Sequence, residues 1–248
     1  MAMKHLLALC ALCWLPLSAP AAPNINVGVF YDYLDGDKST YLKRIFNGGD
    51  STAFIKVSVM EILYNADGSA EEVELKNTPG NAARDGLMAT PARLIVPPDG
   101  MQGTRLLYLG ERQNERYFRL RFVPVMPEPE DDFVVSSEER EAYKNQLSAG
   151  VTVLAGFGTV FFVRPKNTRF ATRIDEQPVE YGLHNDGNSV VVVDEFKDCA
   201  SGDSQDCLPV TKHHILPGRA FSFARQAGRT YRFTLIEGSE KKPYEVKG

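Results

Sequence analysis

Between Lys144 and Arg164 the chain carries no charged side chain. The apolar part of that stretch, Leu147 to Val163, reads LSAGVTVLAGFGTVFFV. Such a run is a membrane span, a buried strand, or a sticky edge that another surface covers. A spanning helix needs about 17–25 apolar residues, and the run just reaches that. Its texture argues for a strand. Gly150, Gly156 and Gly158 interrupt it, and Val151, Thr152, Val153, Thr159, Val160 and Val163 are β-branched; glycine is a poor helix former and β-branching favours strands. Read with period two, Val151, Val153, Ala155, Phe157, Thr159, Phe161 and Val163 share one face, and Thr152, Leu154, Gly156, Gly158, Val160 and Phe162 share the other. Both faces are apolar from Val160 to Val163, which suits the inside of a sandwich. The strand alone leaves two readings open: ordinary core, or an edge onto which a second chain adds a strand.

The rest of the chain sets the surroundings. Lys4, the apolar Leu6 to Leu17 and the small residues Ala19-Pro20-Ala21 have the order of a secretory signal, cut after Ala21. Cys10 and Cys13 would leave with it. Cys199 and Cys207 then remain, and an even pair in an exported chain reads as one disulfide closing a short polar loop. The remaining chain is long enough for one large or two ordinary domains.

Short β-rich runs separated by turns fill the first two-thirds. They are Asn24 to Leu34, Thr52 to Tyr64 with its Asn65-Ala-Asp-Gly68 turn, Glu71 to Leu75, Leu87 to Val96, Thr104 to Leu109 and Tyr117 to Val125. This spacing predicts a β-sandwich. The acidic stretch from Glu128 to Asn145 is strand-poor. Ser136 and Glu139 have capping-box spacing, but the stretch reads better as a mobile loop or a marginal helix within one. Pro165 is placed at a domain boundary, giving a signal at 1–21, a first domain at 22–165 and a second at 166–248. In the second, Val179 to Leu183 and Ser189 to Phe196 frame Asn185-Asp-Gly-Asn188, a strong hairpin signal. His214 to Leu216, Ala220 to Ala224, Thr230 to Ile236 and Tyr244 to Val246 follow as strands of a smaller sandwich.

Catalytic and metal chemistry find little support. No serine sits in a nucleophile-elbow pattern and no glycine-rich loop precedes a helix. His213 and His214, adjacent on a strand, point to opposite faces and share a metal poorly. Glu128, Glu130, Asp131 and Asp132 lack the spacing of a calcium loop. The reading is of a protein without enzymatic activity, cofactor or metal. With 28 Lys and Arg against 32 Asp and Glu, the balance is mildly acidic, and the cations are scattered, so nucleic acid is not an expected partner.

Several segments in order carry a resemblance: VGVFYDYLDGDKSTYL, TPARLIVPP followed by TRLLYLG, ERYFRLRFVPV, AGFGTVFFVRP, LHNDGNSVVVVDEFKDC and ILPGRAFSF. Together they resemble periplasmic pilus chaperones of the chaperone–usher pathway, in the alternate, colonization-factor branch. The resemblance implies an all-β chain of two immunoglobulin-like β-sandwich domains. It implies a periplasmic chaperone that lends a strand to pilus subunits, major and minor, and delivers them to an outer-membrane usher. The donated side chains match Val151, Val153 and Ala155. Members of the other branch anchor the subunit's terminal carboxylate with an arginine and a lysine; here those positions hold Tyr31 and Val160, leaving Lys43, Arg44, Arg119 and Arg121 as candidate substitutes. An interdomain ion pair matches Glu115 and Arg164. An unpaired edge also implies self-association of the free protein, or a loop folded over it. The alternatives are a secreted two-domain adhesin or pilus component, which would carry a detached apolar extension near its start, and a secreted hydrolase.

Overall fold

In the computed structural model, residues 22–75, 86–148, 154–202 and 206–248 are described; the signal at 1–21 and the donor positions Val151 and Val153 lie outside them. The chain begins with β1 (Ile25–Asn26), β2 (Tyr31–Leu34) and β3 (Thr40–Asn47), continues with β4 (Ala53–Tyr64) and β5 (Ala70–Glu74), then β6 (Gly86–Thr90), β7 (Arg93–Val96), β8 (Met101–Leu109) and β9 (Arg116–Pro124). A 3-10 turn at Pro129–Asp131 and helix α1 (Ser137–Ser148) lead to β10 (Phe157–Val163). One sheet has the order β1-β3-β8-β6. The facing sheet has the order β2-β10-β9-β4-β5, with β7 also on β4. Side chains from both, including Ile45, Ile55, Leu94, Leu106, Phe118, Leu120, Phe122 and Phe161, are fully buried between them. Removing such side chains from water is the main stabilising term.

Beyond Val163 the chain forms β11 (Thr172–Glu176), β12 (Glu180–Asn185), β13 (Val191–Ala200), β14 (Thr211–Ile215), β15 (Ala220–Ala224), β16 (Arg229–Glu237) and β17 (Glu240–Lys247). Their sheets, β11-β12-β15 and β14-β13-β16-β17, enclose a second core around Leu183, Val191, Val193, Tyr231, Phe233 and Leu235. Cys199 and Cys207 are disulfide-bonded, as the cysteine count predicts.

Four readings are corrected. Asn24 to Leu34 is not one strand. It is β1 on one sheet and β2 on the other, and the crossing passes through Gly28, whose φ of 70° suits glycine. Leu87 to Val96 divides likewise into β6 and β7, around a cis peptide at Thr90–Pro91. Asn185 to Asn188 joins strands of opposite sheets and makes no hairpin, while β12 pairs instead with β11 and β15. The uncharged run is not a strand from Leu147. Leu147 ends up in α1, and the strand starts only at Phe157.

The segment favoured as a loop is a helix because both halves of its capping box form. The Glu139 amide donates to Ser136 Oγ at 3.1 Å, and the Ser136 amide donates to Glu139 Oε2 at 2.9 Å. Tyr143 and Leu147 then fasten α1 against Phe54 and Phe133 on the outside of β4.

Both sandwiches turn the same corner. Asn47 is fully buried; its Nδ2 donates to the carbonyls of Ser51 and Val96, and its Oδ1 accepts from the Gly49 amide. Asn185 is also fully buried. Its Nδ2 donates to the carbonyls of Ser189 and Ile215, and its Oδ1 accepts from the Gly187 amide. The spacing is identical in both: asparagine, glycine at the second residue onward, carbonyl at the fourth. Each side chain thus satisfies backbone groups that a turn would otherwise bury unpaired.

Candidate functional site

Strand β10 runs antiparallel to β9 along its full length, from Phe157 opposite Phe122 to Val163 opposite Arg116. On its other side it pairs in parallel with β2, but only from Val160 opposite Tyr31 onward. The switch of the first strand at Gly28 causes this, since Ile25–Asn26 pair with β3 of the opposite sheet and β2 starts only at Tyr31. Among the described residues, no strand pairs with Phe157 to Thr159 on the β2 side. Exposed Val29 and Phe30 flank that side, with the Phe30 ring 6.2 Å from that of Phe157. Ala155, two residues before the strand, is exposed.

The faces of β10 differ. Thr159, Phe161 and Val163 are buried in the sandwich, while Val160 and Phe162 point outward and are buried against Val190 and Leu216 of the second sandwich. Tyr31 and Val160, matched in sequence to an anchoring pair, are register partners. Across β10, Val160 is in register with Arg119. A row Tyr31–Val160–Arg119 thus faces the cleft between the sandwiches, whose far wall includes Lys212, His214 and Arg219. Arg119 Nε lies 2.9 Å from Glu72 Oε1, and Arg121 Nη2 2.5 Å from Glu72 Oε2.

The other two candidate anchors lie elsewhere. Lys43 points into the sandwich, its ammonium donating to Asp32 Oδ2 at 2.6 Å and to the Val29 carbonyl at 2.7 Å; Tyr41 donates to the other Asp32 oxygen. Arg44 is on the outside of the opposite sheet.

Glu115 and Arg164 both stand at the joint, but they do not bond each other. The Glu115 carboxylate accepts from Ser189 Oγ at 2.6 Å and from the Val190 amide at 2.9 Å. Burial pushes its carboxyl above the usual range, and these donors and nearby Arg164 oppose that rise. Arg164 instead bonds Asp35 Oδ1 at 2.6 Å and lies over the rings of Tyr33 and Phe170. Sequence comparison found both residues but not the partners, which come from turns far away in sequence.

His214 is the joint residue that sequence reasoning missed. Its ring lies 4.1 Å from that of Tyr31 and is stacked 5.3 Å from that of Phe162; its Nε2 is 2.9 Å from the Tyr33 hydroxyl. Burial, with help from Lys212, brings its pKa from 6.5 down to about 4. A folded-state value below the unfolded one favours the folded state at high pH. His214 therefore contributes stability above pH 6.5 that is lost as pH falls to about 4, on the order of 3 kcal/mol. Glu115, shifted upward, acts in the opposite sense and gains as pH falls through its folded value. The expected result is that His214→Phe flattens the fall in unfolding midpoint between pH 6.5 and pH 4, measured by calorimetry against the parent; an unchanged slope refutes it.

No protein-family model matches the chain. Over 244 residues it is 26% identical to the probable fimbrial chaperone EcpB of Klebsiella pneumoniae, covering 97% of this chain and 98% of that protein. The chain is similar along nearly all its length to fimbrial chaperones. Among solved structures, the class 5 fimbrial chaperone CfaA superposes with a TM-score of 0.56 at 20% identity, over 91% of this chain and 99% of that one. The CsuC–CsuE chaperone–tip adhesion subunit complex of Acinetobacter baumannii gives a TM-score of 0.52 at 12% identity, over 92% and 99%. At these identities the structures speak to the fold, two immunoglobulin-like sandwiches. EcpB and CfaA both carry the name of fimbrial chaperones, which favours that reading over an adhesin. Among the described residues no helix is long and apolar enough to cross a membrane.

Proposed function

We propose that this chain is a periplasmic chaperone that holds pilus subunits by adding the segment around Val151, Val153 and Ala155, continuous with β10, to a subunit lacking a strand, and passes them to an outer-membrane usher. The observation that carries it is that, among the described residues, no strand pairs with Phe157 to Thr159 on the side where β2 joins only from Val160. An edge of this kind templates strand addition: main-chain hydrogen bonds extend the sheet, and alternate apolar side chains fill the partner's groove. The CsuC–CsuE complex, a chaperone bound to a tip subunit, supports a pilus subunit as the class of partner.

The subunit's terminal carboxylate is assigned to Arg119. It lies in the row of Tyr31 and Val160, one strand over from the position where the other branch places lysine. Glu72 holds that guanidinium in the free chain, so capture exchanges one carboxylate for another.

Co-purification from the periplasm tests the function: a stoichiometric small β-rich subunit is expected, and a chain that emerges alone from cells expressing its subunits sinks the reading. Arg119→Ala is expected to weaken capture by tenfold or more, since losing one member of a close charge pair costs about 2 kcal/mol or above. Arg44→Ala should leave it unchanged. Equal effects of the two would remove Arg119 from the role.

A further inference from the structure

The two sheets of the first sandwich are covered unequally. On the outside of the β2-β10-β9-β4-β5 sheet, the second sandwich buries Val160 and Phe162, and α1 buries Phe54. The outside of the β1-β3-β8-β6 sheet has no such cover among the described residues. Outward positions of β3 and β8 hold Leu42, Arg44, Phe46, Met101, Arg105 and Leu109, and no carboxylate occupies an outward position of either strand. Phe46 and Met101 face each other in register, Met101 being 58% exposed and Phe46 43%. Contiguous exposed apolar surface on a sheet marks an interaction site.

The charge says which partner. Arg44 is in register with Gly103 and Leu42 with Arg105, so the two arginines are diagonal neighbours on adjacent strands. Neither forms an ion pair among the described residues. Like charges so placed repel, on a chain whose net charge is −4. A second copy docked face to face would set these arginines against their own counterparts. An anionic bilayer gains only about 1 kcal/mol per basic residue near its surface, and two are too few to hold an acidic protein there. We infer that this face is a docking surface for a different protein, one presenting apolar side chains around carboxylates, and that it works separately from the donor edge on the opposite sheet.

A photo-crosslinking amino acid at position 42 in living cells tests this. One adduct with a different protein is expected. Its yield should fall at least tenfold in Arg44→Glu/Arg105→Glu and clearly in the milder Arg44→Gln/Arg105→Gln, and survive in Arg44→Lys/Arg105→Lys and in Ala155→Asp. Subunit co-purification from the same cells reports separately on the proposed function. The inference is overturned by an adduct indifferent to the charge changes, by one of twice the chain's own mass, by its loss in Ala155→Asp, by the absence of any adduct, or by flotation of the purified protein with phosphatidylglycerol vesicles.

Discussion

Asp32→Ala is expected to destabilise the first sandwich by about 3–5 kcal/mol. The reason lies under β2, where Asp32 and Lys43 meet at 2.6 Å with side chains only 1% and 4% exposed. Removing the carboxylate leaves an ammonium inside a sandwich, with the Val29 carbonyl as its remaining acceptor, and strands the Tyr41 hydroxyl as well. Burial and this same carboxylate raise the Tyr41 hydroxyl far above its ordinary pKa, so it stays neutral and cannot replace the lost charge. Replacing the pair together, as Asp32→Leu/Lys43→Met, should recover most of the loss, because a buried ion pair adds little over well-packed apolar groups while half of one is costly. Urea unfolding of the two variants against the parent checks this. Equal stabilities for the single and double variants would show that the pair is not what holds β2.

Ala155→Asp should abolish subunit capture while the free protein folds as before. The residue is exposed and precedes the strand, so a carboxylate there meets only water in the free chain. In the proposed complex it enters an apolar groove, where an unpaired charge costs several kcal/mol, or more than a hundredfold in affinity. Val153→Asp is expected to behave alike. A folded variant that still co-purifies with its subunit would move the donated segment elsewhere; one that fails to fold would make the position part of this chain's own core.

What the sequence revealed, and what it hid, follows from how local each signal is. The β4–β5 hairpin was legible because its alternation and its Asn65-to-Gly68 turn are both short-range, and the turn closes through the Gly68 amide on the Asn65 carbonyl. The sheet switches at Gly28 and at Thr90–Pro91 were not. An apolar run looks continuous whichever sheet each half joins, and only the rest of the fold decides the partner. The same held for Asn185 to Asn188, whose residues suit a hairpin but whose asparagine is engaged in the sandwich interior. For α1 the capping signal was present and underweighted, because its worth depends on Phe54 and Phe133 waiting beneath it. At the site, the resemblance singled out Tyr31 and Val160, which are register partners. It could not choose among four cations, because burial alone separates Lys43 from Arg119, and the sheet alone separates Arg44. His214 gave no signal of its place at the joint; its three ring partners lie more than fifty residues away in sequence.

The two matching asparagine corners also bear on how the protein ages. An asparagine deamidates when the amide nitrogen of the next residue attacks its side-chain carbonyl carbon, and Asn47-Gly48 is the sterically least hindered sequence for that reaction. Here the attacking nitrogen is engaged, with Gly48 donating to the Asn24 carbonyl at 2.9 Å and Asp186, after Asn185, donating to the Ala171 carbonyl at 2.8 Å. Both side chains are pinned as well. The reaction is therefore closed to the folded corner and open only to molecules in which that corner has come apart. Each conversion adds a permanent negative charge, so the acidic fraction accumulating at each position in stored protein, scaled by that sequence's rate in the unfolded chain, is a chemical record of the time that corner has spent open.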